Sequence, residues 1–180
     1  MAQLCGAAYV AKTGKDKGLA MTTYYQLHES PVGELLLISD GTALTALHMT
    51  AGKYVPSVNA DWARDETRTV LTQTRRELDE YFNGKRRVFS MPLALSGTEF
   101  QKQAWIALTT IPFGEKRTYG QQAAIIGRPR AVRAIGAANG KNPIGIIVPC
   151  HHVVGANGTL TGYAGGLHNK EFLLKLEGIF

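Results

Sequence analysis

The string Pro149-Cys150-His151-His152-Val153 places one of only two cysteines beside two imidazoles, at the end of an apolar run that begins near Ile144. A thiol is a nucleophile only as its thiolate, and a free pKa of about 8.5 leaves a few per cent ionised at neutral pH. A base must therefore take the proton, and a third group should orient that base. In an extended segment His151 would point to the face opposite Cys150, so a turn or an intervening water is needed. Pro149 fixes its own φ and restricts Val148, which predicts a bend there. The orienting acid could come from "HNKEFLLKLEG", which offers Glu171 and Glu177. Helical spacing there predicts Phe172, Leu173 and Leu176 on a buried face, with Glu177 tucked beside them. Against catalysis stands the habit of free cysteines to be buried core residues. On these residues alone, His152 reads equally well as structural. Tyr163, in "TGYAGG", could shape a pocket or simply sit in a turn, and the loop fits no P-loop or dinucleotide fingerprint.

The elements that must hold these groups can be read from periodicity and turn signals. Residues 1–20 lack periodicity and are expected to be a disordered tail. The next stretch, "TTYYQLHESPVGELLLISDGTALTALHM", is broken at Ser30–Gly33 and Asp40-Gly41 and predicts a three-stranded antiparallel meander. Leu71, Leu78, Tyr81 and Phe82 share one helical face, with Asn83-Gly84 as the stop. "VFSMPLAL" is a further strand or an extended linker. Thr98 with Gln101, and Thr118 with Gln121, are capping-box patterns. Gly127 and Pro129 separate two short helices, a helix-turn-helix candidate carrying Arg128, Arg130 and Arg133. Ala131, Ala134, Gly136 and Ala137 would let the second helix approach something large. The resulting expectation is an α/β (α+β) protein, with an N-terminal domain over 21–97 and a mainly helical C-terminal domain over 98–180.

Composition narrows the function classes. A hydrophobic content of 44% and a charged content of 19% describe a folded chain. No apolar run approaches the ~20 residues of a membrane span, and the start is not a convincing signal peptide. We expect no membrane association and a cytoplasmic location. Cysteines at positions 5 and 150 make neither a disulfide framework nor a metal cluster. Residues 1–100 hold 11 Lys/Arg and 11 Asp/Glu, whereas residues 101–180 hold 9 and 3 and carry the whole net charge of +6. Such asymmetry suits a polyanion-binding face. A solvated basic surface explains the charge equally well.

From Phe100 to Gly178 the chain resembles the O6-alkylguanine-DNA alkyltransferases, also called methylated-DNA–protein-cysteine methyltransferases. The resemblance rests on "FQKQAWIALTTIPFGEKRTYGQQAAIIGRPRAVRAIGAANGK" followed by "NPIGIIVPCHHVVGANGTLTGYAGGLHNKEFLLKLEG". The family hallmark Pro-Cys-His-Arg-Val stands here as Pro149-Cys150-His151-His152-Val153, after Asn142-Pro143 and Arg133-Ala134-Ile135-Gly136. The N-terminal part is similar more loosely, through "SPVGELLL" and its turn pattern.

The resemblance implies a ribonuclease H-like N-terminal domain and direct-reversal DNA repair without a cofactor. The damaged base would flip out of the duplex, and Cys150 would take the alkyl group from O6-alkylguanine, and from O4-alkylthymine, once per molecule. Glu177 would orient His151, His151 would activate Cys150 through a water, and Asn142 would brace the cysteine turn. Arg133 would replace the flipped base, and Tyr119 would crowd its phosphate. Ala131, Ala134, Gly136 and Ala137 would lie in the minor groove, with Arg128, Arg130 and Lys141 on phosphates. Tyr163, Val153 and Gly165 would shape the base pocket. The partner implied is double-stranded DNA, bound by a monomer, with cooperativity along the duplex left open. The zinc site of some relatives needs clustered Cys and His in the N-terminal domain, where this chain has only Cys5, so no metal is expected. His152 departs from the usual Arg and loses a bidentate partner for carboxylates. A lesion binder without transfer, a thiol-sensing helix-turn-helix regulator and, more remotely, a cysteine hydrolase are the competing readings.

Overall fold

A computed structural model describes residues 22–180, so the tail expected at 1–20 lies outside the described residues. Strands β1 (Tyr24–His28), β2 (Leu35–Ser39) and β3 (Leu44–Met49) form the antiparallel meander, turning at Gly33 and Gly41 with φ of 94° and 95°. All five residues of β2 are buried, which explains why "LLLIS" reads as a continuous apolar run rather than an alternation. One face packs into the main core; Leu36 and Ile38 on the other are covered by Tyr25, Leu27, Val55 and Trp62.

A fourth strand went unforeseen. Residues Ala63–Arg64 (β4) pair in parallel with β1, giving the order β3-β2-β1-β4. Helix α1 (Thr69–Phe82) buries Leu71, Leu78 and Tyr81, and Gly84 (φ 70°) follows its end as expected. "VFSMPLAL" is not a strand. It runs extended with a single bridge from Leu93 to Leu44, and Phe89, Met91 and Leu93 enter the core at alternate positions.

The C-terminal region holds α2 (Glu99–Leu108), α3 (Tyr119–Ile125), α4 (Val132–Gly140) and α5 (Leu167–Leu176). Both expected capping boxes form, on Thr98 with Gln101 and on Thr118 with Gln121. Each cap is worth about 1 kcal/mol. The first three of these helices are locked by polar contacts in an otherwise small-residue interface. Gln122 and Asn139 exchange amide hydrogen bonds of 3.0 and 2.7 Å, and Trp105 Nε1 donates to the Ala138 carbonyl at 2.8 Å. A two-residue ladder, β5 (Arg117–Thr118) with β6 (Val153–Val154), fixes the start of α3 beside the cysteine turn.

The two regions share one core, which runs from Leu35 and Leu47 through Trp105 to Val148 and Leu173. Their backbones also join: Leu47 N donates to Pro143 O and Gly145 N to Leu47 O. Among the described residues no helix is long and apolar enough to cross a membrane.

Candidate active site

The cysteine is delivered by a chain of tight turns. After α4, Asn142 accepts from the Ile144 amide and donates to the Val148 carbonyl at 2.7 Å, closing the loop on itself. Ile146 is held at φ 67°, a strained value for a β-branched residue, while its side chain is buried. Pro149 then leads into a 3₁₀ turn, Cys150–His152. This is the bend that Pro149 predicted, and it removes the opposite-face problem of an extended segment.

Asn142 Nδ2 also lies 3.2 Å from Cys150 Sγ and donates to it. Burial pushes the thiol up from its ordinary pKa, opposed by the Asn142 hydrogen bond and by the charge of Lys170. The resting sulfur is therefore a protonated thiol, and an amide N–H is already in place for a developing thiolate.

Glu177, the first residue past α5, receives four donors. His151 Nε2 and Tyr81 Oη lie 2.8 and 2.7 Å from Oε1, and His152 Nε2 and Gly114 N lie 2.7 and 3.2 Å from Oε2. Burial works to raise the Glu177 pKa, but the hydrogen bonds from both imidazoles outweigh it, and the carboxyl is held well below the usual carboxylate range. Burial, reinforced by His152, pushes His151 down to about 4. At neutral pH an ionised carboxylate thus accepts from both imidazoles, and His151 is neutral. A carboxylate can only accept, so both Nε2 atoms carry protons, and the lone pair of neutral His151 sits on Nδ1. His151 Nδ1 is buried with no hydrogen-bond partner in the protein. It is a free base next to the thiol in sequence, without a direct bond to it.

The other expected residues divide by position. Arg128, Arg130, Arg133, Ala134, Ala137 and Lys141 are exposed, and Ala131, Gly136 and Tyr119 are partly buried. Tyr119 reaches the Thr161 carbonyl at 3.4 Å, linking α3 to the Gly-rich loop. Tyr163 and Gly165 line a small cavity with Cys150, Asn142 and Asn139 on one side and Met49, Gly52 and Lys53 on the other. Val153 does not line it. Its side chain is fully buried in β6, and its carbonyl accepts from Lys170. Glu171 is exposed and paired with Lys175, which leaves Glu177 as the acid. Phe172 is 38% exposed, contrary to expectation. The buried face of α5 is Asn169, Lys170, Leu173 and Leu174.

Three contributors escaped the sequence reading. Tyr81 and Gly114 lie 96 and 63 positions from Glu177, and no local pattern announces either. Lys170 could have been found, because it stands three and four residues before Leu173 and Leu174 on the same helical face. It is fully buried, donates to the Val153 and Thr161 carbonyls at 2.6 and 2.8 Å, and is pushed by burial down to about 8.

Comparison with known proteins gives this constellation a family. The "6-O-methylguanine DNA methyltransferase, DNA binding domain" matches residues 99–179, and its "ribonuclease-like domain" matches residues 23–95. The methylated-DNA–protein-cysteine methyltransferase of Methanosarcina acetivorans is 52% identical over 155 residues, covering 86% of this chain and 98% of the relative. That of Haemophilus influenzae is 46% identical and covers 87% of each. The crystal structure of Mycobacterium tuberculosis O6-methylguanine methyltransferase is similar with a TM-score of 0.80 at 47% identity, over 87% of this chain and 93% of that one. The M. tuberculosis protein in complex with DNA gives the same TM-score at 45% identity, over 86% and 92%. With both regions matched and half the residues shared with its relatives, the chain belongs to the 6-O-methylguanine DNA methyltransferase family.

Proposed function

We propose that the protein repairs O6-alkylguanine in duplex DNA by moving the alkyl group irreversibly onto Cys150. The observation that carries this is the pairing of a buried thiol held by Asn142 with an imidazole whose Nε2–H is committed to Glu177 and whose Nδ1 is free. His151 Nδ1 takes the thiol proton through one water. Sγ attacks the alkyl carbon, the carbon–O6 bond breaks, and the purine leaves as an anion. The imidazolium returns the proton to the purine, so the proton that left the thiol ends on guanine. Asn142 Nδ2 stabilises the charge on sulfur during attack. The product is a thioether, which is no nucleophile, so each molecule acts once.

DNA is met by the basic C-terminal half, through α4 and the turn before it. Arg133 and the small exposed face of Ala134 and Ala137 suit a minor groove, with Arg133 filling the stack when the base leaves it. Arg128, Arg130 and Lys141 contact phosphates, and the protein acts as a monomer.

The competing reading is a lesion binder in which the change at 152 has silenced the thiol. The His152–Glu177 hydrogen bond argues for transfer, because His152 still secures the second oxygen of the acid. Weighing the intact protein after mixing with a duplex bearing one O6-methylguanine decides between them. One added methyl per molecule, mapped to Cys150, is expected. Tight binding without mass gain would establish the lesion binder, and neither binding nor mass gain would overturn both.

A further inference from the structure

We propose that His151, His152 and Glu177 form a buried site for a divalent transition-metal ion, zinc being the occupant their donor set favours, and that the bound ion silences alkyl transfer. The silencing rests on the role given to His151 above; the site does not. The three side chains are all buried and offer ligand atoms within 4.8 Å of one another. Both Nε2 atoms already face the carboxylate, one toward each oxygen, at 2.8 and 2.7 Å. Zinc takes N and O ligands at roughly 2.0–2.2 Å, and a site with three protein ligands and one open position is common for it. Inserting the ion between imidazoles and carboxylate therefore requires the donors to separate slightly, not to be rebuilt.

The surroundings suit an ion as well as they suit the metal-free hydrogen bonds. Tyr81 Oη and Gly114 N keep their bonds to Glu177 and would orient it as a ligand. A cleft of ≈ 200 Å³ is lined by His152 and Glu177 together with Tyr81, Phe113 and Pro149, and Cys150 is not among its lining residues. An ion can thus reach the site through a cleft that shares no lining residue with the cavity beside Cys150, with room for a water in its open position. Among the residues lining that cleft the one cation is Arg87, and its guanidinium sits over the Phe113 ring at 5.4 Å.

The chemistry at His151 gives the consequence. A neutral imidazole coordinating through Nε2 must carry its proton on Nδ1. No net proton is lost, yet the lone pair that serves the thiol is gone. His152 makes the site possible, because the Arg usual in the family has no lone pair to offer a metal.

Cobalt(II) titration of the full chain tests the site. The expected result is one ion per chain with tetrahedral d–d bands and no thiolate-to-cobalt charge transfer. The same spectrum should persist in a Cys5→Ser/Cys150→Ser variant, and zinc should displace it. His152→Arg and His152→Gln should each abolish it; the Gln variant keeps an N–H for Glu177, and circular dichroism verifies that both remain folded. Charge-transfer bands that vanish without the cysteines would place the ion on sulfur and overturn the site. So would an absence of binding, or binding that survives both His152 variants. In the second arm, zinc loading should slow transfer on the order of 10²-fold, the contribution of a general base, and a chelator should restore it. Binding without slowing would overturn the silencing and His151's role as base while leaving the site.

Discussion

Glu177 has as many donors as a carboxylate has strong acceptor positions, and that count sets the tautomer of the base beside it. Glu177→Gln keeps the shape but turns one acceptor into a donor, so one imidazole must face an N–H with its own N–H. Its tautomer would have to switch. We expect transfer to slow on the order of 10²–10⁴-fold, as tautomer errors do in catalytic triads, with DNA binding unchanged. Equal rates measured by single-turnover transfer would remove Glu177 from the mechanism. The same buried groups set the response to acid. Above pH 6.5 His151 is neutral whether folded or unfolded and contributes nothing to the pH dependence. Below it the unfolded chain takes a proton that the folded chain refuses until about 4, so stability falls across that window by about 3 kcal/mol. Glu177 acts in the next window: its contribution is present above 4.5 and is lost as pH falls below that value. Urea midpoints should therefore drop between pH 6.5 and 5, and flat midpoints would contradict the burial of His151.

Two elements do work that no single residue can. In the proposed binding mode helix α4 would offer DNA a face of small side chains with Arg133 projecting from it, and Arg133→Ala should slow transfer from duplex DNA more than from the free base. Equal slowing would mean that Arg133 does not assist flipping. Helix α5 supplies the acid at its end and, two turns earlier, the ammonium that pins the Gly-rich loop. Replacing Lys170 with Met would take the 2.6 Å donor from the buried Val153 carbonyl, a cost of about 1–3 kcal/mol, and one donor from the exposed Thr161 carbonyl. Limited proteolysis should then cut residues 155–166 sooner, whereas an unchanged pattern would show the loop held by other bonds. Elements of this kind were largely legible in the sequence. The capping boxes at Thr98 and Thr118, the stop at Asn83-Gly84 and the bend at Pro149 each rest on local chemistry. The two-residue strands β4, β5 and β6 were not legible, because register against a distant partner defines them rather than any periodicity of their own. At the site, the Cys-His pair and its acid could be named from one segment of chain. Tyr81 and Gly114 could not, since only tertiary packing brings them to Glu177. Lys170 was missed for another reason: a cation on a buried face violates the ordinary pattern that marks such faces.

The cavity beside Cys150 is small in the whole molecule. Its free space is ≈ 30 Å³, about one water's share of the liquid, so a purine cannot enter without movement. The N-terminal domain supplies part of its wall, and Lys53 N ties that wall to the Ala164 carbonyl at 2.9 Å. Hydrogen exchange at the Lys53 amide should accelerate when duplex carrying a lesion binds; slower or unchanged exchange would mean the cavity opens elsewhere. The long reach from Tyr81 to Glu177 has a kinetic consequence too. The contacts that lock α2, α3 and α4 span 33 residues or fewer, while Tyr81 and Glu177 are 96 apart. Closing the longer loop costs about 1 kcal/mol more in chain entropy. During folding helices α2, α3 and α4 can therefore assemble before Glu177 docks against the first domain. For that interval the chain would be a decoy, able to occupy damaged DNA and unable to mend it.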